Sequence, residues 1–129
     1  MDFLNIKRIY NTHKNKIDKN INDVLSSGQF IGGKYVKSIE NTLSIYTNSF
    51  CITCGNGTDA LLIALEVLKL RGKRVAIPGF GFPAAREMLY FLGCTPVFVD
   101  IDENFNINPD LIPDDIDGVI AMSLFGVDC

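Results

Sequence analysis

Between Cys51 and Ser123, short and almost unbroken apolar runs alternate with helix-length segments, and this alternation is what most limits the fold. The runs are Arg74 to Ile77 (RVAI), Thr95 to Asp100 (TPVFVD) and Gly118 to Ser123 (GVIAMS), with Cys51-Ile52-Thr53-Cys54 read as a further strand ahead of them. Runs that are apolar throughout, rather than at every second residue, suit strands buried on both faces, and alternation with helices suits a parallel sheet. Ala60, Leu61, Ala64, Leu65 and Leu68 predict a helix to about Leu70, closed by Arg71-Gly72. A second spans Ala84 to Leu92, closed by Gly93, and Pro109 to Ile112 reads as one helical turn after a polar loop from Asp102 to Asn108. The rhythm is β-α-β-α-β and then β.

Two amphipathic helices are expected ahead of this pattern. One runs from about Asn5 to Leu25, with Ile6, Ile9, Ile17, Ile21, Val24 and Leu25 mostly at helical spacing. The other runs from Tyr35 to Tyr46 along Val36, Ile39, Leu43 and Tyr46, and Asn48 ends it. The loop between them, Ser26 to Gly33, carries glycines at both ends around Phe30 and Ile31. Those two side chains could plug the core, line a pocket or meet another subunit.

Ligands of parallel sheets sit beyond the carboxyl ends of the strands. Two glycine-rich loops, Gly55 to Thr58 and Gly79 to Phe82, fall at such ends. In the first, CITCGNGTDALL reads as strand, glycine turn and helix start. Missing Cβ atoms allow close approach to a ligand, and the first helical N–H groups lack intrahelical partners, a geometry that favours an anion such as phosphate. The same residues also suit an ordinary turn with Thr58 or Asp59 as N-cap, and spacing alone weighs the two readings equally. Phe82, on the residues alone, reads as a core plug beside Pro83.

With 129 residues and 47% apolar composition, the chain can form one domain, or part of one. The net charge of −3 and the interrupted basic cluster from Lys7 to Lys19 speak against nucleic-acid or membrane-surface binding. No apolar run reaches the roughly 18 residues of a membrane span, and MDFLNIKRIYN lacks the order of an export signal. A cytoplasmic protein with reduced thiols is expected. Cys51 and Cys54 form a C-x-x-C without a second pair, and His13 is the sole histidine, so no metal site is assigned and these cysteines read as small buried strand-end residues. G-N-G-T-D-A lacks the third glycine of a dinucleotide-binding fingerprint.

The series SGQFIGGKYVKSIENTLSIY, CITCGNGTDALLIAL, VAIPGFGFPAA, GCTPVFVDIDENFNINPDLI and SLFG resembles, in order, the N-terminal part of the DegT-type sugar aminotransferases. The resemblance extends from about Ser26 to Gly126. It implies an α/β fold, the front portion of the fold-type-I pyridoxal 5′-phosphate (PLP) transferase large domain: a mostly parallel sheet with flanking helices, incomplete in this chain. Residues 1–48 would supply N-terminal helices and an entrance loop, and residues 49–129 the front of the PLP-binding sheet, with no domain boundary visible between them. Within the family, the wording of the Cys51 segment and the PGF loop are most similar to enzymes that aminate the 3-keto group of a UDP-linked 2-acetamido hexuronic acid.

Carried over by this resemblance, Gly57 and Thr58, with Asn56 beside them, lie at the PLP phosphate, and Phe82 stacks on the pyridine ring. Phe30 and Ile31 match the active-site entrance loop. Gly81 departs from the pattern, standing where relatives usually carry Thr. Asp100 and Asp102 match the family's VDID and read as strand-end residues with local backbone hydrogen bonds. The Schiff-base lysine and the acidic partner of the pyridine nitrogen fall beyond Cys129, so no catalytic residue is assigned; Lys69, Lys73 and the Lys7 to Lys37 group match no catalytic position. The expectation is a front portion of a longer homodimeric enzyme. It would move an amino group, from glutamate, to a nucleotide-linked keto sugar in amino-sugar biosynthesis for surface polysaccharide. The competing expectation is a non-catalytic remnant or a phosphate- or partner-binding module. Either way the shortened sheet, with an unpaired edge, should make the 129 residues alone a marginal domain.

Overall fold

The computed structural model describes residues 4–129. The chain divides into two compact units, Met1–Thr53 and Cys54–Cys129, a division that falls inside the stretch read from sequence as a continuous strand, turn and helix.

The first unit holds α1 (Ile6–Ser27) and α2 (Lys34–Thr47). Asn5 caps α1, its side chain accepting from the Arg8 N–H at 2.8 Å, and Gly28 closes it in the left-handed conformation. Asn48 ends α2 as expected, at φ 50°, a region that Asn tolerates better than most residues. The helices are tied by the Tyr35 hydroxyl, which donates to Asp23 at 3.0 Å. No described residue of this unit is fully buried, and Ile31 is 96% exposed.

In place of the strand expected at Cys51 to Cys54 there is irregular chain without a ladder. Side chains of α2 take the backbone donors instead: Ser44 Oγ accepts from the Cys51 N–H at 3.0 Å, and Glu40 Oε1 accepts from both the Thr53 N–H and the Thr53 hydroxyl, at 2.9 and 2.8 Å. A strand needs a neighbour to satisfy its backbone, and among the described residues no strand pairs with this run. The cysteines change with it, Cys51 being half-buried and Cys54 exposed, while Cys94 is the buried thiol.

The second unit contains α3 (Gly57–Val67), β1 (Arg74–Pro78), α4 (Ala84–Phe91), β2 (Thr95–Val99), a 3-10 turn at Pro109–Leu111 and β3 (Gly118–Val119). The sheet is parallel, as expected, in the order β2-β1-β3. Pro96 sits in β2, an edge strand, where a residue without an N–H is tolerated. Strand β3 is shorter than the run to Ser123 suggested. Ile120 N–H still donates to the Ala76 carbonyl at 2.9 Å, but the next ladder bond would come from Pro78, which has no donor.

Alternate residues of β1 feed two clusters. Val75 and Ile77 pack with Leu65 of α3, Leu89 of α4, Leu92 and Cys94. Ala76 faces the other way and packs with Val99 and Ile107, flanked by Ile112 and Ile116. One face of the sheet is thus covered by helices and the other by the irregular segment after β2. Arg74 and Lys73 pair with Asp115 and Asp117, at 3.2 and 3.7 Å, next to the amino end of β1.

Candidate functional site

The turn before α3 is built by Asn56. Its Oδ1 accepts from the Asp59 N–H at 2.9 Å, and its Nδ2 donates to Asp59 Oδ2 at 3.1 Å, so Asn56, and not Thr58 or Asp59, is the N-cap. The side chain of Asn is short enough to reach the N3 donor while its own backbone stays extended. At Gly55 a Cβ would lie 2.7 Å from Asp59 Oδ2, so a side chain there would require the Asp59 carboxylate to shift. At Gly57 the corresponding space is open. Among the described residues, no acceptor is found for the N–H groups of Gly57 and Thr58, which leaves two donors at the positive end of the helix. The cap expected at Thr58 or Asp59 is thus supplied by Asn56, and the N–H groups of Gly57 and Thr58 have no acceptor among the described residues.

Beyond the carboxyl end of β1, the loop Gly79 to Pro83 borders a cavity of about 230 Å³. Phe82 lines it with Ile77, Phe98 and Met122, and Arg86 is its sole charged lining residue. Phe82 is 70% exposed, so it does not plug the core. Gly81 has a steric reason here, since a Cβ would run into the terminal methyl of Met122. A Thr at this position needs Met122 to move. Gly79 N–H donates to the Val99 carbonyl at 2.8 Å, which anchors the start of the loop to the end of β2.

The structure thus presents the expected residues in three places. Asn56, Gly57 and Thr58 share the first turn of α3; Phe82 lies on the loop after β1 and lines a cavity that they do not line; Phe30 and Ile31 belong to the first unit. Phe30, 68% exposed, borders a smaller cavity of about 90 Å³ with Val24 and Tyr35, while Ile31 projects into solvent. The core-plug reading of that pair is overturned, because neither side chain is buried.

Asp100 and Asp102 make the local bonds expected of them. Asp100 Oδ1 accepts from the Ile101 N–H at 2.8 Å, and Asp102 Oδ1 from the N–H groups of Asn104 and Asn106 at 2.8 and 3.0 Å. The groups with displaced pKa values, Lys14, Asp18, Tyr35, Glu40 and Arg71, line neither the Phe82 cavity nor the α3 turn. Lys73 is engaged with Asp117 by the amino end of β1, opposite to the end where the cavity opens. Among the described residues, no group of three or more His, Cys, Asp or Glu is placed to hold a metal ion. No helix among them is long and apolar enough to cross a membrane.

Arg86, Met122 and Glu40 were not singled out from sequence. Gly81 was the available signal for Met122, since a missing side chain in a crowded loop implies a neighbour that fills the space. Nothing in the spacing marks Glu40, which acts on Thr53 through a tertiary contact.

The model of the DegT/DnrJ/EryC1/StrS aminotransferase family matches residues 11–129. A UDP-2-acetamido-2-deoxy-3-oxo-D-glucuronate aminotransferase from Pseudomonas aeruginosa (PAO1) is 38% identical, over 98% of this chain and 37% of its own length. A UDP-N-acetyl-3-dehydro-alpha-D-glucosamine 3-aminotransferase from Acidithiobacillus ferrooxidans is 34% identical, over 71% of this chain and 26% of its own. Among solved structures, a DegT/DnrJ/EryC1/StrS aminotransferase from Brucella abortus superposes with a TM-score of 0.90 at 29% identity, covering 100% of this chain and 38% of that one. A Bacillus subtilis protein solved with bound cofactor PMP gives 0.89 at 30% identity, covering 100% and 32%. This chain spans roughly a third of the length of these relatives. The match over most of its residues, together with the parallel sheet, places the chain in the DegT/DnrJ/EryC1/StrS aminotransferase family.

Proposed function

We propose that this chain carries part of the cofactor site of a PLP-dependent aminotransferase acting on a nucleotide-linked keto sugar. In this reading the amino donor is an amino acid, glutamate, the working protein is a cytoplasmic homodimer, and the product serves amino-sugar and surface-polysaccharide biosynthesis. The observation that carries the proposal is the 38% identity to a 3-oxo-glucuronate aminotransferase across 98% of the chain.

The residues fit a phosphorylated, flat cofactor. Gly57 has open space where a Cβ would sit, and the unpartnered N–H groups of Gly57 and Thr58 can donate to phosphate oxygens. Asn56 holds those donors in place by capping the helix. Phe82 offers an exposed ring on a loop with backbone restrained at Gly79, suited to lie against a planar heterocycle. Phe30 and Ile31 are proposed to face the substrate at the entrance. When bound, PLP supplies an electron sink through which an amino group passes from donor to keto sugar. This chain's own residues bind its phosphate and orient its ring. The lysine and the acidic residue such chemistry needs are proposed to come from outside residues 1–129, since no described lysine lies at the cavity or at the first turn of α3.

The test is a half-reaction. The full-length protein is loaded with PLP and mixed with glutamate, and conversion of the cofactor to its amine form is followed by absorbance. Conversion that is lost in Gly57→Pro, which removes one of the two donors at a helix position that tolerates proline, and in Phe82→Ala supports the reading; a wild-type protein that binds PLP without glutamate-dependent conversion overturns it.

A further inference from the structure

We infer that Phe105, with Asn106 and Phe125, is a positioning strut that sets where the Phe82 ring stands. It deepens the cofactor-site reading above and rests on it for the role of Phe82.

The loop that carries Phe82 has little stiffness of its own. Its sequence, Gly79-Phe80-Gly81-Phe82, puts a glycine before each ring, and glycine restricts the backbone least of all residues. Something outside the loop has to hold it. Gly79 is bonded to Val99, and Gly81 lies against Met122. The remaining hold is on Phe80, whose ring lies 5.7 Å from that of Phe105, centroid to centroid. Phe105 in turn meets Phe125 edge-on at 5.1 Å. Three rings thus link the loop after β1, the loop after β2 and the segment after β3, three successive connections at one end of the parallel sheet.

The segment that presents Phe105 is constructed, where sequence suggested only a polar loop. Asp102 N–H donates to the Asn106 carbonyl at 2.9 Å and Phe105 N–H to the Asp102 carbonyl at 3.1 Å, while Ile101 and Ile107 bridge as antiparallel partners. Ile107 is sunk in the cluster of Ala76 and Val99, which roots the turn in the sheet. Asn106 is 5% exposed and its Nδ2 donates to the carbonyls of Val127 and Asp128, at 3.3 and 3.1 Å, clamping the segment that bears Phe125.

Two features of this turn are costly. Phe105 has φ 65°, a left-handed conformation rare for a bulky side chain. Asn106 Oδ1 is buried with no hydrogen-bond partner among the described residues. A turn that only had to connect β2 to the 3-10 turn could place Gly or Asn at position 105 and avoid the strain. Keeping an aromatic there is explained by what its ring touches, and strain of this kind concentrates at functional sites.

The test places para-fluorophenylalanine at position 82 of the full-length protein and reads fluorine NMR without added cofactor, in the parent and in Phe105→Leu, Phe125→Leu and Leu92→Ala. Leucine keeps apolar bulk but removes the ring pairing. Leu92→Ala weakens the cluster on the helix-covered face of the sheet, away from the cluster that roots the Phe105 turn. The parent should give one resonance displaced from the unfolded-chain position. Phe105→Leu should move it toward that position or split it, Phe125→Leu should move it the same way by less, and Leu92→Ala should lower the melting temperature and leave it in place. A resonance unchanged in a folded Phe105→Leu protein, or moved equally by Leu92→Ala, overturns the proposal; if Phe105→Leu does not fold, Phe125→Leu decides by the same criterion. PLP titration of the unlabelled proteins is the separate arm: Phe105→Leu should raise the dissociation constant several-fold. A parent that binds no PLP refutes the cofactor-site reading and leaves the fluorine result standing on its own.

Discussion

Asn56 shows how two uses of one turn can share its residues. Its side chain closes the helix on Asp59, and that leaves the donors of Gly57 and Thr58 facing outward. Removing the cap should therefore act on stability and on the anion site together. Asn56→Ala is expected to cost about 1 kcal/mol in urea denaturation, the ordinary worth of a helix N-cap, and Asn56→Ser to recover most of it. Equal stabilities for wild type and Asn56→Ala would mean that the Asn56–Asp59 bonds do not form in solution. That a cap and a donor pair occur here was legible in G-N-G-T-D. Which residue does the capping was not, because Asn56, Thr58 and Asp59 are all good caps and only the fold of the turn selects among them. Gly55 is a similar case: a Cβ there would displace the Asp59 carboxylate that faces it across the turn.

Among elements, the run from Cys51 to Thr53 is the clearest departure from expectation. Its β-prone composition is real, yet side chains of α2 rather than a neighbouring strand take its backbone donors. Glu40 carries much of that, and the two bonds from Thr53, backbone first and hydroxyl second, hold its carboxyl below the ordinary value of 4.5. A carboxyl whose folded pKa is depressed stabilises the fold fully above its unfolded value, and the contribution is lost as pH falls through the folded value. The tether is thus expected to hold at neutral pH and to loosen as the solution is acidified below about 4.5. In Glu40→Gln, chemical-shift changes of the Thr53 amide on acidification should disappear; a titration of Thr53 that persists in the variant would assign the effect elsewhere. The remaining elements followed the sequence closely. Helices and parallel strands fell where apolar periodicity put them, with ends that differ by a residue or a few, and β3 stopped early where Pro78 withholds a donor.

For the molecule as a whole, burial is uneven. The core lies at β1, with Val75 and Ala76 fully buried and Leu89 beside them, whereas α1 and α2 bury no residue fully. Local stability follows buried apolar contacts, so backbone amides of Val75, Ala76 and Ile77 should exchange with deuterium slowest. Those of α1 and α2 should exchange far faster in the 129-residue chain. Uniform protection across both units would contradict this. The sequence by itself determined the alternation of helix and strand from α3 onward, the parallel sense of the sheet, the glycine loop at the carboxyl end of β1 and the family. These rest on local periodicity and on residue types with few conformational options. Only the tertiary structure decided that Glu40 and Ser44 hold the Cys51 segment, that Met122 fills the space at Gly81 and that Phe105 braces the loop of Phe82. Each of these joins residues far apart in the chain through a side chain whose direction depends on the packing of the whole unit, and no spacing rule encodes that direction.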